Sequence, residues 1–176
     1  MAKWTIKSLF QSGIRVSQGR INPPSSPSIR LDKIIPFAGT NSVLFQLTLK
    51  GVTELNSSGY PVNHKVNLFF YGVDIKRVEV KGYIKVTDNT GDYWFNPPNA
   101  NNTNVKVRCT CKDHYFTFGI WNFNQGAIFG NKPRPYKRLT PPPPNGYPYR
   151  NVNQYCGIDK HITNSVKYLQ NTKMMK

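Results

Sequence analysis

Three cysteines and three histidines are the residues of this chain best suited to hold a metal ion, and two short stretches gather five of the six. The first, "VRCTCKDHYF", carries Cys109, Cys111 and His114; the second, "NQYCGIDKHI", carries Cys156, Asp159 and His161. Thiolate, imidazole and carboxylate together are the donors of zinc sites. On a straight strand, thiols two residues apart point the same way about 7 Å from each other. Tetrahedral zinc, with Zn–S near 2.3 Å, needs its sulfurs within about 4 Å. A Cys-x-Cys pair that binds zinc therefore requires the chain to bend, and "CKDHY" is the place for it. The second half of a four-donor site is either Cys156 with His161 or Asp159 with His161. Simpler roles compete. Three buried free cysteines behave as small hydrophobes, and Asp159 is also an N-cap acceptor at the start of a helix. A disulfide from Cys156 to either member of the pair is disfavoured by the cytosolic synthesis that the sequence suggests.

Catalytic chemistry finds little support. The eight carboxylates are scattered singly, with no acid/base pair. His64 lies away from any nucleophile pattern, and no GxSxG, HExxH or phosphate-binding loop is present. Cys111 and His114 are neighbours, but a Cys–His pair needs convergence in space that spacing alone does not supply. The chain reads as a non-enzyme.

The elements that would position these residues are mostly strands. At 176 residues the chain suits one domain with arms, and its 38% hydrophobic content, rich in Tyr and Phe, favours short strands and long loops over a helical bundle. The expected fold is mainly β with one C-terminal α-helix: an antiparallel sheet or small sandwich in a single domain over residues 32–171. "SVLFQLTLKG" reads as a strand with Leu44 facing one way and Gln46, Thr48 and Lys50 the other. "HKVNLFFYGV" places Val66, Leu68 and Phe70 on one face, with "SSGY" as the turn between the two. Val78, Val80, Ile84 and Val86 extend the β region to the "TDNTGD" turn. Val105, Val107, Cys109 and Cys111 share a face of the next strand, and Tyr115, Phe116, Phe118, Trp121 and Phe123 read as core. Residues 159–171 form a helix with Ile162, Val166 and Leu169 on its apolar face, and 172–176 should fray. Residues 1–31 read as an extended arm, in which "WTIKSLF" adds a strand and Pro23, Pro24 and Pro27 exclude regular structure. Residues 124–152 form a long Pro/Tyr-rich loop, where Pro141 to Pro144 favour polyproline II. A metal site joining the two motifs would tie this loop and the helix to the sheet.

Charge points to partners. Twenty-four Lys and Arg against eight Asp and Glu give +16, and residues 1–31 and 114–158 contain no acid. Such a surface attracts acidic proteins or DNA. In the loop, Tyr136, Tyr147 and Tyr149 are candidate stacking platforms, with Lys137, Arg138 and Arg150 on phosphates. No apolar run approaches the roughly 18 residues of a membrane span, and "MAKWTIKSLFQSG" lacks the apolar region of a signal peptide. A protein made in the cytosol that stays soluble is expected, with no membrane partner.

The pattern Arg-Cys-x-Cys, an acid and the aromatic run "DHYFTF", a loop with "GYPYRN", and "G-I-x-K-H-I" opening a helix resembles a family of virion proteins of tailed bacteriophages, including phages of cyanobacteria and gut bacteria. The likeness covers roughly residues 60–170, and 107–165 is its specific part. In that family the helix opens Gly-x-Cys-Lys-His, which gives C-x-C…C-x-H, similar to a SWIM-type zinc finger. This chain departs at one position: Asp159 stands where the family has cysteine, and Cys156 lies three residues earlier. The resemblance therefore implies one structural zinc on Cys109, Cys111, Cys156 and His161, the same set with Asp159 as an oxygen ligand, or a site that has lost its metal. On a helix, Cys156 and His161 would lie about 140° apart, so Cys156 joins only from the non-helical side of the cap. The resemblance further implies a structural component of a virion (tail, baseplate or neck) assembled in the host cytoplasm, contacting other virion proteins in a symmetric multi-copy array. The alternative is a viral nucleic-acid-binding module built on a zinc finger.

Overall fold

The computed structural model describes residues 4–16, 28–133 and 155–176, without the side chains of residues 51–55. The six loop residues of the stacking-and-phosphate expectation, Tyr136, Lys137, Arg138, Tyr147, Tyr149 and Arg150, lie outside the described residues, as does the run Pro141 to Pro144.

Among the described residues, seven strands form two antiparallel sheets. β1 (Ile29–Phe37), β2 (Ser42–Leu55), β3 (Pro61–Tyr71) and β7 (Asn104–Cys109) make a four-stranded sheet in that order. β4 (Ile75–Lys76), β6 (Gly91–Phe95) and β5 (Ile84–Asp88) make a smaller one. The alternation of the sequence sets the faces. Val66, Leu68 and Phe70 of β3 and Val105, Val107 and Cys109 of β7 point into the core. In β2 the core residues are Val43, Phe45, Leu47 and Leu49. Leu44 therefore shares the opposite face with Gln46 and Thr48, because a two-residue step returns a side chain to the same side. Phe95 of β6 meets Phe45 edge-on at 5.9 Å, which carries the small sheet onto the large one. Val78 and Val80 lie outside the strands, and Val78 is 67% exposed.

Several segments differ from their sequence expectation. "WTIKSLF" enters a helix, α1 (Ile6–Ile14), rather than a strand. Thr5 caps it: its side chain accepts from the Ser8 N–H at 3.1 Å, and the Ser8 hydroxyl oxygen accepts from the Thr5 N–H at 2.9 Å. Ile6, Leu9 and Gly13 fall on one face and are buried, so this part of the N-terminal region belongs to the core instead of extending from it. The aromatic run beyond Cys111 also coils. Lys112–His114 and Ile120–Asn124 are α-helical and flank a π-helical turn at Tyr115–Gly119, together α2 (residues 112–124). Coiling spreads the five aromatics around an axis, and only Phe118 is fully buried; Phe123 is 36% exposed.

α3 (Lys160–Asn171) packs on β2, β3 and β7 through Ile162, Val166 and Leu169. Its end is fastened, not frayed. Lys173 takes a left-handed conformation (φ 59°), and the Met174 N–H donates to the Leu169 carbonyl at 2.8 Å, the long bond of a Schellman closure. Met175 is buried, and Lys176 exchanges backbone hydrogen bonds with Pro98 and Ala100.

Candidate metal centre

The site lies where β7 runs out and α2 and α3 begin. Cys109 is the last residue of β7, paired with Val66 of β3. The chain turns at Thr110, whose N–H donates to the Lys65 carbonyl at 3.0 Å and whose hydroxyl accepts from the Lys65 N–H at 2.9 Å. Cys111 then serves as N-cap of α2, its sulfur accepting from the His114 N–H at 3.2 Å, while the Cys109 sulfur accepts from the Cys111 N–H at 3.4 Å. This is the bend that a Cys-x-Cys pair needs: leaving the strand after Cys109 brings the two sulfurs together.

From the other side, Asp159 is the N-cap of α3. Its Oδ1 accepts from the N–H groups of His161 at 2.6 Å and Ile162 at 3.2 Å. The segment before it is clamped. The Asn122 side chain donates to the Gly157 carbonyl and accepts from the Gly157 N–H, both at 2.9 Å. Gly157 has no room for a side chain, since a Cβ there would stand 2.5 Å from the Phe118 ring and 2.8 Å from Gly13 Cα. α1, α2 and the approach to α3 thus meet at one glycine.

Cys109, Cys111, Asp159 and His161 are brought together so that one donor atom of each lies within 4.8 Å of all the others. All four are buried, with exposures of 4%, 0%, 0% and 5% respectively. This buried cluster could hold a metal ion. Tetrahedral coordination with bonds of about 2.0–2.3 Å places donors roughly 3.3–3.8 Å apart, so binding requires the donors to close by about an ångström. Cys156 is not among them. Its thiol donates to the Trp121 carbonyl at 3.3 Å, and burial pushes its pKa up to about 12, which keeps it a thiol. The three cysteines are free, with no disulfide among them.

Two histidines complete the surroundings. His114 Nδ1 stands 3.0 Å from Asp159 Oδ2, with both side chains almost wholly buried. The His64 ring lies 4.4 Å from that of His161, centroid to centroid. Sequence reasoning gave neither a place in the site. The signals were present: His64 shares the parity of Val66, Leu68 and Phe70, and His114 follows Cys111 by one turn. The Asn122–Gly157 clamp left no trace in residue spacing.

The electrostatics of the group are mutual. Burial opposes ionisation of Asp159, but the imidazoles of His114 and His161, 3.0 and 3.4 Å from its oxygens, hold its carboxyl well below the usual carboxylate range. Burial likewise opposes the imidazolium of His161, yet Asp159 and Cys111 raise its pKa to about 9. A hydrogen bond from the Cys109 thiol, then one from His161, lower Cys111 to about 7 against the cost of burial. Cys109 is driven well above an ordinary thiol, first by burial. The helix N-termini add partial positive charge beside Cys111 and Asp159. The pocket could therefore hold a cation between thiolate and carboxylate, and protons would compete with a metal for the same donors.

Fold and site together define a small α+β protein with a buried two-sulfur, one-oxygen, one-imidazole cluster fit for a metal ion. No family model, no curated protein and no solved structure matches the chain.

Proposed function

We propose that the protein is a structural subunit of a tailed-bacteriophage particle, in the tail, baseplate or neck, and that Cys109, Cys111, Asp159 and His161 hold one structural zinc. The observation that carries the metal reading is the complete burial of four donors drawn from two distant segments. Two thiolates and an imidazole favour zinc over magnesium or calcium, which take oxygen donors. Four protein donors also fill a tetrahedron, leaving no position for a substrate, as in structural rather than catalytic zinc sites. The work of the ion is mechanical: it joins the start of α3 to the end of β7. The virion reading rests on the Cys-x-Cys…Lys-His pattern set out above, with Asp159 as the oxygen ligand in the altered position. The partners are neighbouring virion proteins in a symmetric multi-copy array, and the +16 charge suits acidic neighbours or packaged DNA.

The test is metal analysis of nuclease-treated, purified particles, with Cys109→Ser introduced in parallel. One zinc per copy, lost in the variant together with incorporation into particles, is the expected result. Particles that lack zinc and assemble normally with Cys109→Ser defeat the metal reading. A protein that never co-purifies with particles defeats the virion reading, whatever its metal content.

A further inference from the structure

The face of the four-stranded sheet turned away from the core is organised along its length. Reading across β1, β2, β3 and β7 in register, one row holds Phe37, Ser42, Tyr71 and Asn104. The next holds Ile35, Leu44, Phe69 and Lys106, and the one after holds Lys33, Gln46, Asn67 and Arg108. One end is thus aromatic and the other basic and amide-rich. At the aromatic end Phe37 meets Phe69 edge-on at 5.5 Å, Tyr71 meets Phe69 at 4.7 Å, and Phe129 stacks on Phe69 at 5.2 Å. Phe37 is 39% exposed. Lys106 reaches over the Tyr71 ring, 5.5 Å from its centroid. Toward the basic end the Gln46 side chain donates to Asn67 at 3.1 Å. Beyond them a groove of about 550 Å³ runs between Arg30, Thr48 and Lys65. Asp32 is the acid in that groove, and Arg30 neutralises it at 2.6 Å.

We propose that this outer sheet face binds single-stranded nucleic acid, with unpaired bases on Phe37 and Tyr71 and phosphates on Lys33, Lys65 and Lys106. The chemistry of the face selects the occupant. An acidic protein would need the cations but not the rings. A duplex offers phosphates but keeps its bases stacked on each other. A single strand alone uses both, since every base has a π-face and sequence-tolerant stacking pairs with a positive track. Lys33, Lys65 and Lys106 stand on β1, β3 and β7, with neighbouring strands about 4.8 Å apart and successive same-face rows about 7 Å apart, so an extended single strand meets them by crossing the sheet. The paired amides of Gln46 and Asn67 lie between the two ends, where donors and acceptors meet base edges. The inference is independent of the metal reading, because no residue of the metal centre lies on this face.

The experiment is fluorescence anisotropy of a labelled 20-nucleotide oligothymidylate, with a 20-base-pair duplex and polyglutamate as competitors, over a salt series. The oligothymidylate should bind best, with a log K against log salt slope of about −2 or steeper, as three or more phosphate contacts require. Phe37→Ala with Tyr71→Ala should weaken binding about tenfold at unchanged slope. Lys33→Glu, Lys65→Glu and Lys106→Glu together should flatten the slope by about 2. The same reversal at exposed Lys7, Lys81 and Lys167, which removes equal charge elsewhere, should leave most of the affinity. Each variant is first shown to keep wild-type metal content and circular dichroism, so that a failure here is separable from a failure of the metal reading. Equal losses from the two lysine triples overturn the proposal, as does an aromatic double variant with wild-type affinity. Duplex or polyglutamate competing as well as the oligothymidylate also overturns it, the latter in favour of an acidic protein partner.

Discussion

Asp159 has three tasks in one side chain: it caps α3, faces His114 and joins the donor set. Substitutions separate them. Asp159→Asn preserves the cap, because Asn is as good an N-cap as Asp, but removes the charge. If the site holds the proposed zinc, its affinity should then fall by a hundredfold or more while helix content is kept, as read by chelator competition and circular dichroism. Cys156→Ala should retain the full zinc content, since its thiol is spent on the Trp121 carbonyl, whereas Cys109→Ser should lose it. Acidity has a definite sign here. Between about pH 7 and 9, Cys109 and His161 carry protons that zinc must displace, while Cys111, lowered to about 7, is already ionised. Zinc affinity should therefore rise by about two powers of ten per pH unit in that window. Below pH 7 the dependence should steepen as Cys111 protonates. Competition titrations against a chromophoric chelator at several pH values give this slope directly, and a flat profile would exclude the assignment of these donors.

At the scale of elements, the two donor pairs are placed by two helix starts and one clamp. Asn122→Ala would leave the buried Gly157 N–H and carbonyl without partners, at about 1–3 kcal/mol each. Denaturant unfolding should show a loss of about 2–6 kcal/mol, with zinc affinity falling alongside. Gly157→Ala, forced against Phe118 and Gly13, should cost about 1–3 kcal/mol by overpacking. The strands and α3 were legible in the sequence because each repeats a simple period: two for Val66, Leu68 and Phe70, and near 3.6 for Ile162, Val166 and Leu169. A bend was expected because no straight strand brings two such sulfurs to one ion, but it was placed at "CKDHY", whereas the chain turns at Thr110, between the two cysteines. α1 was misread because "WTIKSLF" fits either period over so few residues; the Thr5–Ser8 capping box decides it. Choosing Asp159 over Cys156 needed the third dimension. Both lie near the start of α3, and on either side of the clamped Gly157 and Ile158 the thiol meets Trp121 and the carboxylate meets His114.

For the whole molecule, the core runs from Ile6 near one end of the chain to Met175 near the other. Leu9, fully buried in α1, should cost about 2–5 kcal/mol when changed to Ala, a loss that a detached arm would not show. Removing zinc with a strong chelator should lower the thermal midpoint of the wild type, by the loss of a ligand that binds only the folded state, and leave that of Cys109→Ser unmoved. The contact between His114 and Asp159 has one more consequence, which concerns the length of chain it spans. Like the cluster beside it, this contact closes a long covalent circuit through residues 134–154. Closing such a circuit costs entropy that grows only with the logarithm of its contour, about 0.6 kcal/mol for each doubling. The fastening fixes the two ends of that circuit, so the sheet, the helices and the donor cluster keep their places through contacts made at those ends.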